Sequence, residues 1–394
     1  MINDAYLALG KEPSAIRKLY AYGLERKATV GPEHVYDLSI GNPSVPAPQA
    51  VADCLRDLAS ASPIEVHGYT MAQGLASARQ AIADNLNRRF GIEAAAENFY
   101  LTAGATAALT ISRAAISNPG DEFVVNAPHF PEYKVMIESA RCTYVPVMMR
   151  PNDFQMDIDA LARAITPRTA GVIMNSPNNP VGCVYSEENV RALADLLEER
   201  QRAYAHPIYL ISDEPYREIS YGKEVPFTAN YYNNTIVCYS WAKSLSLPGE
   251  RIGSVFVSNR TDDTAEVMSA IAGAGRALGY ICAPALFQRV IEACVDEPTN
   301  VEAYRENRRL LTAGLGALGY EFVEPDGAFY LWVRALEDDA QAFSDKARAH
   351  DLLVVPSDSF GCPGWVRCSY CVSPETISGS MHAWKALKEE YAAS

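Results

Sequence analysis

Between residues 98 and 257 the chain alternates two periodicities. Short apolar runs rich in β-branched and aromatic residues occupy 99–102, 122–126, 143–147, 171–175, 208–212, 235–240 and 254–258, and runs of that length and make-up form strands. Segments of helical period, such as 105–117 and 186–201, separate most of them. A strand that returns to its sheet through a helix lies parallel to its predecessor. The pattern therefore predicts an α/β domain with a mostly parallel seven-stranded sheet wound with helices. Ligands of such sheets sit at the carboxyl ends of the strands, so the residues to weigh are those at the end of each run.

After residue 285 the pattern changes to a long helical stretch, then strands at 327–334 and 365–372 and a closing helix over 373–391. This reads as a smaller α+β domain. The first forty-odd residues, ending in the Pro-rich Asn42 to Pro48, are too few for a core and are expected to pack with it. The expected division is an N-terminal segment 1–45, a large domain 46–284 and a small domain 285–394.

The formal net charge of −14 argues against a nucleic-acid or acidic-membrane surface, which needs clustered Lys and Arg. No apolar run reaches membrane-span length, and the start of the chain lacks a basic, apolar leader. Nine scattered cysteines do not form a disulfide framework and suit a reducing compartment, so a cytoplasmic protein is expected. Cys368 and Cys371 have CxxC spacing, but without a second pair or a nearby His they read as small strand residues, and no metal is expected. Gly314, Gly316 and Gly319 spell GxGxxG after a helical, charged stretch rather than a strand, which argues against a dinucleotide site.

Several strand ends carry reactive residues. Gly104-Ala105-Thr106 opens a helix directly after a strand, where free backbone N–H groups attract an anion. Asp213 follows the run 208–212; alone it could equally be a helix cap or a solvated acid. Ser240-Trp-Ala-Lys243-Ser-Leu-Ser-Leu-Pro-Gly-Glu-Arg251-Ile-Gly253 begins where a strand ends, yet a single lysine there is by itself most simply a solvated one.

That last segment resembles the S-x-x-K…R-x-G signature of the class I/II pyridoxal-phosphate-dependent aminotransferases, the aspartate aminotransferase-like enzymes of fold type I. Thr102 to Leu109, Pro128-His-Phe-Pro-Glu-Tyr133, Asn175 to Gly182, Ser212-Asp-Glu-Pro-Tyr216 and Trp365-Val-Arg367 match the family in order and approximate spacing, over about Leu38 to Ser373. The resemblance implies pyridoxal 5'-phosphate as cofactor, held by Lys243 as a Schiff base, with the freed lysine amine as general base. It implies Asp213 under the pyridine nitrogen, keeping it protonated, and Asn179 and Tyr216 on the ring's phenolic oxygen. Phe130 would stack on the ring. Gly104, Ala105, Thr106, Ser240 and Arg251 would hold the phosphate, joined by Tyr69 from the partner subunit of a homodimer with shared active sites. Arg367 would grip the substrate α-carboxylate, with Asn179 and Gly41 beside the substrate.

The activity so implied moves an amino group between an L-amino acid and a 2-oxo acid. The same cofactor chemistry also serves carbon–sulfur lyases and γ-eliminating or replacing synthases, which stay open as alternatives. A non-catalytic regulator is disfavoured by the acidic charge, the lack of an added DNA-binding domain and the intact Lys243, Asp213 and Arg367. Arg17 or Arg276 could read an acidic substrate side chain, although a surface ion pair is the simpler reading of each. As in relatives, the N-terminal segment could act as a lid. Val181 and Phe130 depart from the residues common in the family at those places without removing an essential group.

Overall fold

The computed structural model describes residues 1–393. The chain divides into two compact units: Val45–Asn178 with Cys183–Val301, and Met1–Ser44 with Asn179–Gly182 and Glu302–Ser394. Where the sequence pattern puts a boundary at 284/285, the larger unit continues to Val301. The helix Ala285–Cys294 belongs to it because Phe287, Val290 and Ile291 join its core.

The larger unit is built on seven strands: β1 (Phe99–Thr102), β2 (Glu122–Ala127), β3 (Thr143–Met148), β4 (Thr169–Asn175), β5 (Tyr209–Asp213), β6 (Thr235–Ser240) and β7 (Gly253–Val257). Their order across the sheet is β1-β7-β6-β5-β4-β2-β3. All pairings are parallel except those of β7, which runs antiparallel to both neighbours. All seven residues of β4 are buried, as expected of a strand covered on both faces by helices.

Strand alternation sorts the core into two layers. Phe99, Leu101, Val237, Tyr239 and Phe256 face the helices Ala76–Phe90 and Ala285–Cys294. Tyr100, Ile236, Cys238, Val255 and Val257 face the other way, with Leu109 and Ile111 of the helix Ala105–Ala115 and Val267 and Ile271 of Thr264–Leu278. The crossover helix Glu187–Tyr204 has a strong start: the Ser186 side chain accepts from Asn189 N, and Glu187 and Glu188 stand in its first turn.

In the smaller unit Trp365–Ser369 lies between Val355–Pro356 and Tyr330–Arg334, all antiparallel, with Phe322–Val323 beyond. The N-terminal segment is tied to it: Tyr36–Asp37 pairs in parallel with Leu352–Leu353, and Ser369 N donates to Leu38 O at 2.7 Å. Two expected strands are shorter. The one expected at 327–334 begins at Tyr330, since Ala328 has φ of +56° and breaks the extension, and the one expected at 365–372 stops at Ser369.

Candidate active site

Because β7 runs against its neighbours, its first residue is level with their last. Gly253 lies opposite Thr102 on one side and Ser240 on the other. The loop after β1, the end of β6 and the approach to β7 thus share one edge. Gly104 has φ of +83°, and a Cβ there would lie 2.6 Å from Arg251 Nη2. The helix Ala105–Ala115 that starts at Gly104 has no side-chain cap, so its first N–H groups face this edge with the Arg251 guanidinium beside them. Together with the Ser240 hydroxyl, which also accepts from Ala242 N at 3.2 Å, they form a cradle suited to an anion.

Lys243 belongs to a one-turn helix, Trp241–Ser244, that begins where β6 ends. Its Nζ lies 5.9 Å from the centroid of the Tyr216 ring. Tyr216 itself is buried, in the loop that leaves β5.

Asp213 is the last residue of β5, flanked in register by Asn175 and Cys238. The Tyr133 hydroxyl donates to its Oδ2, Asn175 Nδ2 donates to its backbone carbonyl at 2.8 Å, and Oδ1 has no partner. Burial pushes the carboxyl up to about 7, against the pull of the Tyr133 hydrogen bond. A buried carboxylate with one oxygen unsatisfied wants a positively charged N–H donor. An anion cradle, an amine and this carboxylate on one sheet edge are the polar contacts that a phosphorylated, protonated heteroaromatic ring bearing an aldehyde needs.

Tyr133 was not singled out by sequence reasoning. It stands one helical turn after Phe130, and their rings meet edge to face at 5.8 Å, so the spacing within that motif was the available signal. Phe130 is half-buried above the same cluster. Tyr69 is fully exposed, with nothing of its own chain covering it.

In the smaller unit Arg367 is 2% exposed. Its Nη1 donates to Asn179 Oδ1 at 3.1 Å and its Nη2 to Ser39 O at 2.6 Å, while Nε has no partner. The rings of Tyr330 and Phe360 lie 4.5 and 5.2 Å from its Cζ, fixing the plane of the guanidinium. Asn179, assigned from sequence to both cofactor and substrate, thus sits with the arginine. A Cβ on Gly41 would lie 2.0 Å from the Tyr330 hydroxyl, so the loop after Ser39 reaches this cluster only as glycine. Arg17 and Arg276 are exposed, and among the described residues neither is ion-paired. Cys368 and Cys371 are buried and not joined in a disulfide, and Cys371 Sγ donates to Ile40 O at 3.7 Å.

Residues 33–382 match the family model described as Aminotransferase class I and II. The aspartate/prephenate aminotransferase of Thermus thermophilus is 32% identical over 361 residues, covering 86% of this chain and 87% of that protein. A crystal structure of an amino transferase from Eubacterium rectale superposes with a TM-score of 0.96 at 52% identity over 99% of both chains. The Thermus thermophilus aspartate aminotransferase solved with maleate superposes at a TM-score of 0.87 and 29% identity, over 98% of this chain and 99% of that one.

Proposed function

The chain belongs to the class I and II aminotransferases and is a fold type I transaminase, and we propose that Lys243, Asp213 and Tyr216 do its chemistry on pyridoxal 5'-phosphate, with aspartate as amino donor. When bound, that cofactor supplies an aldehyde carbon that amines add to and a protonated ring that draws electrons from the substrate's α-carbon. The observation that carries the reading is the unsatisfied Oδ1 of buried Asp213, which suits a protonated ring nitrogen.

Gly104, Ala105, Thr106, Ser240 and Arg251 would hold the phosphate, Phe130 would cover the ring, and Tyr216 and Asn179 would donate toward the phenolic oxygen. Arg367, Asn179 and Gly41 hold the substrate α-carboxylate, two parallel donors of the guanidinium fixing its plane. Lys243 would hold the cofactor's aldehyde carbon, and its amine, once free, would be the base that moves the substrate's α-proton.

Aspartate is favoured because both Thermus thermophilus relatives are named for it. A homodimer is supported by the exposure of Tyr69 beside exposed Ile64 and Met71. Their segment is fastened to the one holding exposed Tyr280 and Ile281 by Cys282 Sγ to Thr70 O at 3.3 Å. An apolar surface of that kind favours a partner copy, with Tyr69 reaching its phosphate. The nine free cysteines suit a cytoplasmic protein, and no helix among the described residues is long and apolar enough to cross a membrane.

The test is borohydride reduction of the protein loaded with pyridoxal phosphate, followed by peptide mapping and assay of 2-oxo acid from single amino acids. A label on Lys243 with oxaloacetate formed from aspartate supports the reading. A label elsewhere, or a Lys243→Ala variant with full turnover, rejects it; ammonia or thiol release without transfer moves the activity to a lyase.

A further inference from the structure

The helix that carries Lys243 is four residues long, far too short to hold its own position. What fixes it lies on the face of the sheet away from the helix Ala105–Ala115. Thr299 Oγ1 donates to the Ser244 carbonyl at 3.0 Å. The Tyr239 hydroxyl, on β6, lies 2.9 Å from Ser244 Oγ and 3.3 Å from Glu218 Oε1. A tyrosine hydroxyl has one proton and a carboxylate has none to give. Both contacts are satisfied only if Tyr239 donates to Glu218 and Ser244 donates to Tyr239, which fixes the direction of the chain from Ser244 to Glu218.

Glu218 is an immobile terminus for that chain. Arg89 grips it with two bonds of 2.9 and 2.5 Å, and Arg217 Nε lies 3.3 Å from it. Although burial alone would raise its carboxyl, the Arg217 and Arg89 guanidinium groups hold it below the ordinary range, so it is ionised and accepts. Arg217 is buried between the rings of Phe90, Phe227 and Tyr239, at 5.2, 5.5 and 4.4 Å, and its Nη1 donates to Glu214 at 2.8 Å. Glu214 in turn accepts from Ser212 at 2.7 Å and Thr228 at 3.0 Å. Glu214, Arg217 and Glu218 lie with Tyr216 in the loop that leaves β5 directly after Asp213.

We propose that Glu218 and Tyr239 are positioning residues for Lys243: through Ser244 they tie the lysine's one-turn helix to the loop that follows Asp213 and bears Tyr216. This rests on the reading of Lys243 as the reacting amine. The network sets the distance between Lys243 and the Tyr216 ring, and so the direction from which the amine meets cofactor and α-proton.

Tyr239→Phe removes only the hydroxyl and Glu218→Gln only the charge. In each, the reactivity of Lys243 in the cofactor-free protein is measured against pH with an amine-acylating reagent and peptide mass spectrometry, alongside kcat and KM of the loaded enzyme. Each variant is expected to change the labelling rate of Lys243 roughly threefold or more and to lower kcat about tenfold, with KM within about twofold. Unchanged labelling and kcat overturn the proposal, as does a loss of thermal stability alone. If Glu218→Gln does not fold, Tyr239→Phe decides. Wild-type protein labelled at Lys243 as fast with saturating pyridoxal phosphate as without it would reject the reading of Lys243 itself, whatever the variants do.

Discussion

The hydroxyl of Tyr133 donates to the carboxylate of Asp213, and both groups are buried. This bond engages one carboxylate oxygen, leaves Oδ1 without a partner, and opposes the rise in pKa that burial causes. Tyr133→Phe leaves both carboxylate oxygens without a donor and moves the carboxyl further up. Binding of pyridoxal phosphate should weaken roughly tenfold at pH 7, the worth of one hydrogen bond to a charged group. Fluorescence titration of the cofactor-free variant checks this, and an unchanged Kd would show that Tyr133 does not orient the acid.

Asp213 also makes the cofactor-free protein sensitive to pH. Its carboxyl titrates at about 7 in the folded chain against an ordinary value of 3.8, so the folded state binds the proton more tightly. The stability this contributes is fully present below about pH 4 and is lost as pH rises through 7, by up to about 4 kcal/mol. Asp213→Asn, neutral throughout, escapes the loss. Urea unfolding should therefore show the variant gaining on the wild type between pH 5 and pH 8. A constant difference would mean that the carboxyl is not raised. A positively charged ring beside Asp213 stabilises its ionised form, so cofactor should flatten the wild-type slope.

The strands were legible because β-branched runs bounded by turn residues leave few other structures, and the candidate residues Asp213, Ser240 and Lys243 lie at or just past strand ends, where a wound sheet binds its ligands. Asp213 is within β5 rather than after it, a one-residue shift that leaves its level on the edge unchanged. The sheet order was not legible. That β7 runs antiparallel between β1 and β6, bringing Gly104, Ser240 and Arg251 together, depends on its pairing with β1, whose residues lie more than a hundred positions away. Tyr133 was passed over for a similar reason: its partner is eighty residues away on β5. Arg367 was named from its motif, but its acceptors Ser39 and Asn179 come from distant segments that periodicity alone does not connect.

Arg367 tests the substrate half. Its two terminal nitrogens are held by Ser39 and Asn179, and Tyr330 and Phe360 fix its plane, an arrangement suited to two parallel bonds with a carboxylate. Lysine keeps the charge but loses the fork. Arg367→Lys should raise KM for amino acid and oxo acid alike by roughly a hundredfold, with a smaller change in kcat. Steady-state kinetics with each substrate varied decides it. A rise confined to one substrate would mean that Arg367 does not hold the group the two share.

Gly253 carries the geometry of the anion cradle. A Cβ there would stand 2.6 Å from Tyr239 O and 2.8 Å from Gly104 C, both backbone atoms with no rotamer by which to move aside. Gly253→Ala must therefore push β7 away from β6 or from the Gly104 loop, spreading the donors around the anion. Pyridoxal phosphate should bind about tenfold more weakly, while pyridoxal, which lacks the phosphate, should bind as it does to the wild type. Gly249→Ala is the control, since a Cβ there meets nothing within 4 Å. Equal loss of both ligands in Gly253→Ala would mean that the substitution damages the ring site through the sheet, and that the cradle is not organised around this glycine.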